Sequence, residues 1–533
     1  MRLAVRVLSI VVAATLLTAP AGAEDWPERI MERMEALQLP DEALALAAVP
    51  LDGPGEARFV NADRVMNPGS TMKLLTTYAA LELLGPSFKW HTRVYTNGEL
   101  KGDVLQGDLF LVGAGDPKLT EERLWQLLRD LRAYGIRQVQ GDLVLDDSYF
   151  RLPHGQPHFD DDGNDPHAPF LVEPHALLTN LNVFHFQFAA RKDGVSAWMD
   201  PVADAVTLDN QITLTRGGRC PSGRRLKLEP SYQDNGRITV TATGSLPPGC
   251  RAGDYLSLMS QETYTAAIIR GLWKQLGGTI TGATRFDRLP AGVDLLATTS
   301  SPDLVTMVRD INKWSSNVMA RQLYLTIGAE HRLAEDRDDL AAAERTIKDW
   351  MALKGMDPRA VVLDNGAGLS RNARMSPMEQ IKMLQQAWRS PFAAELIASL
   401  PLVAMDGTMH NRLRDTGLRG EGHIKTGSLT NVRAVAGFTR DSNNTTWAVS
   451  AIVNTPSAWK SQAVLDDVLE AVHRLPGAQA AAAVTQAQAR AAGSGVPPRS
   501  SVSFSGIALT AKQAARCYAL RCIHYPYRIG EAQ

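Results

Sequence analysis

A serine hydroxyl is a poor nucleophile until a base takes its proton, and Ser70 has a candidate base one helical turn away in Lys73, within M-N-P-G-S-T-M-K-L-L-T-T-Y. Taken alone the pair is unremarkable, because serine caps helices and lysine is solvated. Two further patterns follow along the chain: S-x-N at Ser315-Ser316-Asn317, and K-T-G at Lys425-Thr426-Gly427. In the order S-x-x-K, S-x-N, K-T-G, with the first opening a helix and the last on a strand, they form a specific signal for acyl transfer. Lys73 can act as the base if its amine is neutral, and burial together with the positive charge of Lys425 would lower its pKa. Ser315 can relay a proton to a leaving amine, and Asn317 can hold a substrate peptide amide. Thr426 with Lys425 can bind a terminal carboxylate, with Gly427 and Ser428 completing the substrate edge. The backbone N–H groups of Ser70 and Ser428 would form an oxyanion hole.

The elements that must position these residues are legible from periodicity. Pro68 and Gly69 precede the Ser70 helix, Leu74, Leu75, Tyr78 and Leu81 recur at helical spacing, and Gly85-Pro86 stop it. Short strands at Ala43 to Leu51 and Ala57 to Val60 flank D-G-P-G, a hairpin signal. From Lys89 to Leu295 the texture is β-rich, interrupted by a helix at Glu262 to Leu276. Helices return over Pro302 to Ile311, Val318 to Ile327, Leu340 to Leu353 and Pro377 to Ala387. Three strand-like runs then carry H-I-K-T-G-S-L, R-A-V-A-G-F-T-R and T-W-A-V-S-A-I-V-N, before a last amphipathic helix from Lys460 to His473. One α/β domain, 24–88 and 296–475, split by a β-rich insertion at 89–295, accounts for this order.

The formal net charge of -1 gives no global basic field, which excludes a nucleic-acid partner. Residues 1–23 read as a secretory signal, with Arg2 and Arg6 before an apolar core and Ala21-Gly22-Ala23 as a cleavage site; a retained anchor is the alternative, for which the apolar run is short. Export allows oxidation, and Cys220 and Cys250 bracket a strand-rich region with turn signals, so they are expected to pair and to close a loop of about 30 residues. Cys517 and Cys522 fit a local disulfide or two free thiols. The Ala/Gln- then Gly/Ser/Pro-rich stretch from Gly477 begins a tail, 476–533, expected to be disordered.

These three motifs, with G-A-G-D-P (113–117), L-D-D-S-Y-F (145–150), D-N-G-A-G-L-S-R (364–371) and D-G-T-M (406–409), resemble the serine D-alanyl-D-alanine carboxypeptidases of the class C low-molecular-mass penicillin-binding proteins, peptidase family S13. The resemblance implies a serine transpeptidase/β-lactamase-like α/β (α+β) domain with two small β-rich domains inserted between S-x-x-K and S-x-N. It implies carboxypeptidase and DD-endopeptidase activity on peptidoglycan stem peptides in the periplasm, no cofactor, and β-lactams as covalent inhibitors. Asp146 and Arg371 match positions that bind the ammonium and carboxylate ends of a diaminopimelate side chain; a turn residue and a surface ion pair are their alternatives. Phe150 stands beside that pocket or in the core. Thr430 stands where a polar contact, often glutamine, occurs.

Two other functions compete. A β-lactamase needs fast deacylation, and the nearest match to a class A E-x-x-L-N stretch is Glu330 to Ala334, E-H-R-L-A, in a region with helical pattern. A non-catalytic peptidoglycan-binding module would not need an intact Ser70, Lys73, Ser315, Asn317 and Lys425. No metal is expected, since the histidines are scattered; the acidic run His158 to His167 reads as a solvated loop.

Overall fold

The strands Val432–Arg440 and Thr446–Asn454 are buried along nearly their whole length, so both faces of the sheet that holds them must be covered. The computed structural model, which describes residues 26–153, 165–220 and 226–475, shows how. A five-stranded antiparallel sheet runs in the order Arg58–Val60, Leu44–Pro50, Thr446–Asn454, Val432–Arg440, Gly422–Leu429. Leu44 pairs with Val453 and Ala48 with Val449, so the two ends of the described chain close one sheet. Side-chain alternation then divides its core. On one face Leu44, Leu46, Ala48, Val449 and Val453 pack against helices Trp26–Ala36 and Gln462–His473. On the other, Ala47, Ala436, Phe438 and Ala448 meet helices Lys73–Leu83, Leu304–Trp314, Asn317–Glu330, Asp339–Leu353 and Pro377–Arg389.

The inserted segment begins after Trp90 and returns at Ser301, where Ser301 N donates to the Trp90 carbonyl (2.9 Å) and Trp90 N donates to Ser301 Oγ (3.0 Å). Its last strand, Asp294–Ser300, pairs with His91–Thr96, so the inserted sheet extends past residue 295. Mixed sheets and two three-stranded sheets make up the rest, and one apolar cluster runs through them from Val94 to Trp273. The insert holds a second helix that the β-rich sequence texture concealed, Glu121–Tyr134: Leu124, Leu127, Leu128 and Leu131 form its buried stripe, and Gly135 at φ +111° ends it. Cys220 and Cys250 are disulfide-bonded.

Three braces fix the insert to the helices around S-x-N. Gln322, on Asn317–Glu330, donates to the carbonyls of Gly115 and His175 (3.0 and 2.9 Å) and accepts from His175 N (2.8 Å). Lys118 pairs with Asp310 at 2.5 Å, and Arg321 with Glu173. Among the described residues no helix is long and apolar enough to cross a membrane. The signal segment 1–23, the tail 476–533 with Cys517 and Cys522, and most of the acidic run at His158 to His167 lie outside the described residues.

Candidate active site

Ser70 does not cap the helix; it sits inside a 3-10 turn, Gly69–Met72, that leads into Lys73–Leu83, and its side chain makes no capping bond. That turn is cross-linked from several directions by buried polar groups. Asn67 accepts from Gly69 N (2.9 Å), donates to the Ser370 carbonyl (2.7 Å), and exchanges bonds with Asn454 (2.8 and 3.0 Å). Gln380 bridges Thr71 Oγ1 (2.7 Å) and Ser450 Oγ (2.6 Å). The nucleophile candidate is thus tied to the central sheet and to a neighbouring helix, so its position does not depend on the local turn alone.

Lys73 is fully buried, with Nζ 2.9 Å from Ser70 Oγ, 2.6 Å from Asn317 Oδ1 and 2.6 Å from the Ala367 carbonyl. Burial, and next the charge of Lys425, hold its pKa well below the ordinary lysine value. Lys425 is equally buried; its Nζ donates to Ser315 Oγ (2.8 Å) and to the Thr426 carbonyl (2.9 Å), and burial pushes its pKa down to about 7. Two ammonium groups buried in one site repel each other, and that repulsion adds to burial in lowering the pKa of Lys73.

The backbone of the S-x-N triplet sets where its side chains point. Ser315 ends helix Leu304–Trp314 in the left-handed region (φ 57°), a conformation that costs a non-glycine residue on the order of 1 kcal/mol. Ser316 caps the next helix by accepting from Met319 N (3.3 Å), which places Asn317 at its first position facing Lys73. The Lys425–Gly427 segment lies on Gly422–Leu429, the edge strand of the sheet, against the Ser70 turn. A Cβ on Gly427 would fall 3.1 Å from Ser70 N and 2.7 Å from the Pro68 carbonyl, and one on Gly69 would fall 3.5 Å from Ser428 N. The Ser70 turn and the K-T-G strand are therefore closely packed, with Ser70 N and Ser428 N both at their junction.

The stretch D-N-G-A-G-L-S-R supplies what no spacing rule reveals, a backbone acceptor for Lys73. Gly368, at φ +72°, packs so closely that a Cβ would fall 1.9 Å from the Gly69 carbonyl. Arg371, half-exposed, bonds Asn431 just past the K-T-G strand (3.0 Å). Asp146 is buried and its oxygens accept from Ser148 N (2.9 Å) and Leu289 N (2.8 Å), the pattern of a turn anchor, leaving only its remaining lone pairs for an ammonium. Phe150 is a core residue, packed on Ala176 and Leu325. The stretch Glu330 to Ala334 is not helical as expected: the helix stops at Glu330, because Arg332 turns to Asp339 (2.6 Å) and Asp338 caps the next helix. Glu330 accepts from the Tyr149 hydroxyl (2.6 Å). A three-residue cluster, Asp147, His175 and Glu262, has its ligand atoms within 4.8 Å of one another. His175 Nδ1 accepts from Leu177 N (3.1 Å), so the neutral ring carries its proton on Nε2, toward Asp147 (3.2 Å), rather than offering a metal a lone pair there.

The pattern of the D-Ala-D-Ala carboxypeptidase 3 (S13) family matches residues 28–489, and the chain belongs to that family. It is 29% identical over 392 residues to a D-alanyl-D-alanine carboxypeptidase of Actinomadura sp. strain R39, covering 70% of each chain. To the D-alanyl-D-alanine carboxypeptidase DacB of Haemophilus influenzae it is 28% identical over 393 residues, 71% of this chain and 78% of the relative. The crystal structure of penicillin binding protein 4 from H. influenzae superposes with a TM-score of 0.66 at 23% identity, over 83% of this chain and 99% of that one, which establishes the shared fold.

The contact at Gly368 makes a test of how the nucleophile turn is held. Gly368→Ala should lower the unfolding free energy by about 2 kcal/mol or more, and by more than Gly355→Ala, where φ is +74° but a Cβ would meet nothing. Urea denaturation of both variants checks this; equal losses would mean that the close approach to Gly69 contributes nothing.

Proposed function

As a serine-type D-Ala-D-Ala carboxypeptidase of the S13 family, the protein, we propose, is exported to the periplasm and cleaves peptidoglycan stem peptides through an acyl-enzyme on Ser70. The observation that carries this reading is the 2.9 Å contact between Ser70 Oγ and a fully buried Lys73 whose pKa is lowered. A neutral amine donates two hydrogen bonds and accepts one. Lys73 then donates to Asn317 Oδ1 and the Ala367 carbonyl while its lone pair takes the Ser70 proton.

Ser70 Oγ attacks the carbonyl carbon of the penultimate D-Ala, and the oxygen that becomes negative lies between the Ser70 and Ser428 N–H groups. The C–N bond breaks as the proton that Lys73 took from Ser70 passes through Ser315, which Lys425 holds in place, to the departing amine, and Lys73 is left neutral again. Water then attacks the ester, with Lys73 again as base, and releases Ser70. The leaving group is terminal D-Ala in the carboxypeptidase reaction and a cross-linked partner in the endopeptidase reaction. Lys425 and Thr426 hold the carboxylate of that leaving group, and Arg371, at the mouth beyond the strand, takes the carboxylate of a diaminopimelate side chain. A β-lactam enters by the same acylation. The alternative of a β-lactamase draws no support from Glu330, whose carboxylate is engaged by Tyr149, and a non-catalytic module has no use for a desolvated lysine beside a serine.

Mass spectrometry after incubation with benzylpenicillin, followed by peptide mapping, tests the nucleophile. The expected result is one adduct of the intact drug's mass on the peptide containing Ser70, absent in a folded Ser70→Ala variant; an adduct that persists in the variant overturns the assignment, and drug consumed without adduct indicates a β-lactamase.

The pH profile has a defined sign. Lys73 must be neutral to act, which burial and the charge of Lys425 favour by holding its pKa well below the ordinary lysine value, and Lys425 must be cationic to hold a carboxylate. In the free enzyme kcat/KM should therefore fall as pH rises through about 7. Bound carboxylate favours the charged form of Lys425, so the alkaline limb of kcat should lie higher. A fall in kcat/KM appearing only near the ordinary lysine value of about 10.4 would contradict this assignment.

A further inference from the structure

The D-G-T-M turn has no part in the acyl-transfer steps, yet it is built against the site from two sides. Asp406 Oδ1 accepts from Leu402 N (2.7 Å), and Oδ2 accepts from Lys313 Nζ (2.6 Å), a largely buried side chain two residues before Ser315. Gly407 is at φ +53°, and a Cβ there would fall 2.5 Å from the Lys313 carbonyl, so the turn is pressed onto the helix end that presents Ser315. Pro401 and Val403 meanwhile bond along the K-T-G strand: Ile424 N to the Pro401 carbonyl at 2.8 Å, and Val403 N to the Gly422 carbonyl at 2.9 Å. Between these anchors Thr408 is exposed, and its Oγ1 lies 2.8 Å from Thr426 Oγ1.

We infer that Thr408 is a substrate-specificity residue, the second hydroxyl of a receptor for the carboxylate adjoining the scissile amide. The inference rests on reading K-T-G as the carboxylate site. Two touching hydroxyls hold two protons; one lies between them, and the other is left for an acceptor outside the pair. Whichever threonine donates inwardly, its partner's outward proton is oriented, and a chain of hydroxyls polarises the last donor. Lys425 has the complementary vacancy: of three ammonium protons, two go to Ser315 Oγ and the Thr426 carbonyl, which leaves one. An anion with two oxygens suits this pair of donors. A neutral primary amide, which offers one acceptor and brings two donors of its own, does not.

The test uses two peptides that end in D-Ala-D-Ala and differ only in a C-terminal carboxylate or amide, with wild type, Thr408→Val and Thr408→Ser. Wild type should prefer the free acid. In Thr408→Val the ratio of kcat/KM for acid over amide should shrink about tenfold, chiefly through KM, as expected for one lost hydrogen bond to a charged group; Thr408→Ser should restore most of it. An unchanged ratio, an equal loss on both peptides, or failure of serine to rescue overturns the role of Thr408. A wild type with no preference for the acid overturns the carboxylate reading of K-T-G itself, a failure visible before any variant is made, and the inference falls with it.

Discussion

Two fully buried lysine side chains in one site are the constraint around which the rest of it is arranged. An ammonium removed from water without compensation is costly, and a second one nearby raises the cost. The cheapest outcome is one neutral amine and one cation. Lys73, with repulsion from Lys425 added to burial, is the one to be neutral. Its acceptors come from distant parts of the chain: Ser70 from its own turn, Asn317 at a separation of 244 positions and the Ala367 carbonyl at 294. The neutral base therefore exists only when the split halves of the domain are assembled.

That dependence gives the insert a mechanical problem. A long excursion between S-x-x-K and S-x-N could pull the two motifs apart unless its ends meet and its body is fixed. Trp90 and Ser301 close the ends, and Gln322 satisfies three backbone groups of the insert from the helix that begins at Asn317. Buried hydrogen bonds of this kind are costly to leave half-made, so they specify one arrangement of insert and helix. The family-like G-A-G-D-P stretch finds its reason here, since Gly115 gives its carbonyl to Gln322 and Lys118 reaches Asp310.

Much of this was legible in the sequence, and the rest was missed for two reasons. The three motifs, the three strands that end the sheet, and the helices around S-x-N could be read because each carries its signal within a few residues. The helix Glu121–Tyr134 carried one as well, a leucine stripe with acidic residues in its first turn, and was masked by the β-rich segments around it. Asn67, Gln380 and Asn454, which hold the nucleophile turn, have no local pattern, since their partners come together only in the fold. The Ala367 carbonyl is a backbone atom that any residue could supply; the glycines beside it were the sole trace. Of the two backbone N–H groups on the Asp146 carboxylate, from Ser148 and Leu289, the second likewise has no local pattern, since Leu289 lies 143 positions away.

The central claim is that Lys73 is a neutral amine in the folded protein at neutral pH. The direct measurement is an NMR titration of protein labelled with 15N at the lysine Nζ, with the Lys73 resonance assigned from a Lys73→Arg variant. The account predicts that this resonance has the shift of a free amine at pH 7 and becomes an ammonium only on acidification. A Lys73 signal that stays an ammonium until above pH 9 would contradict it.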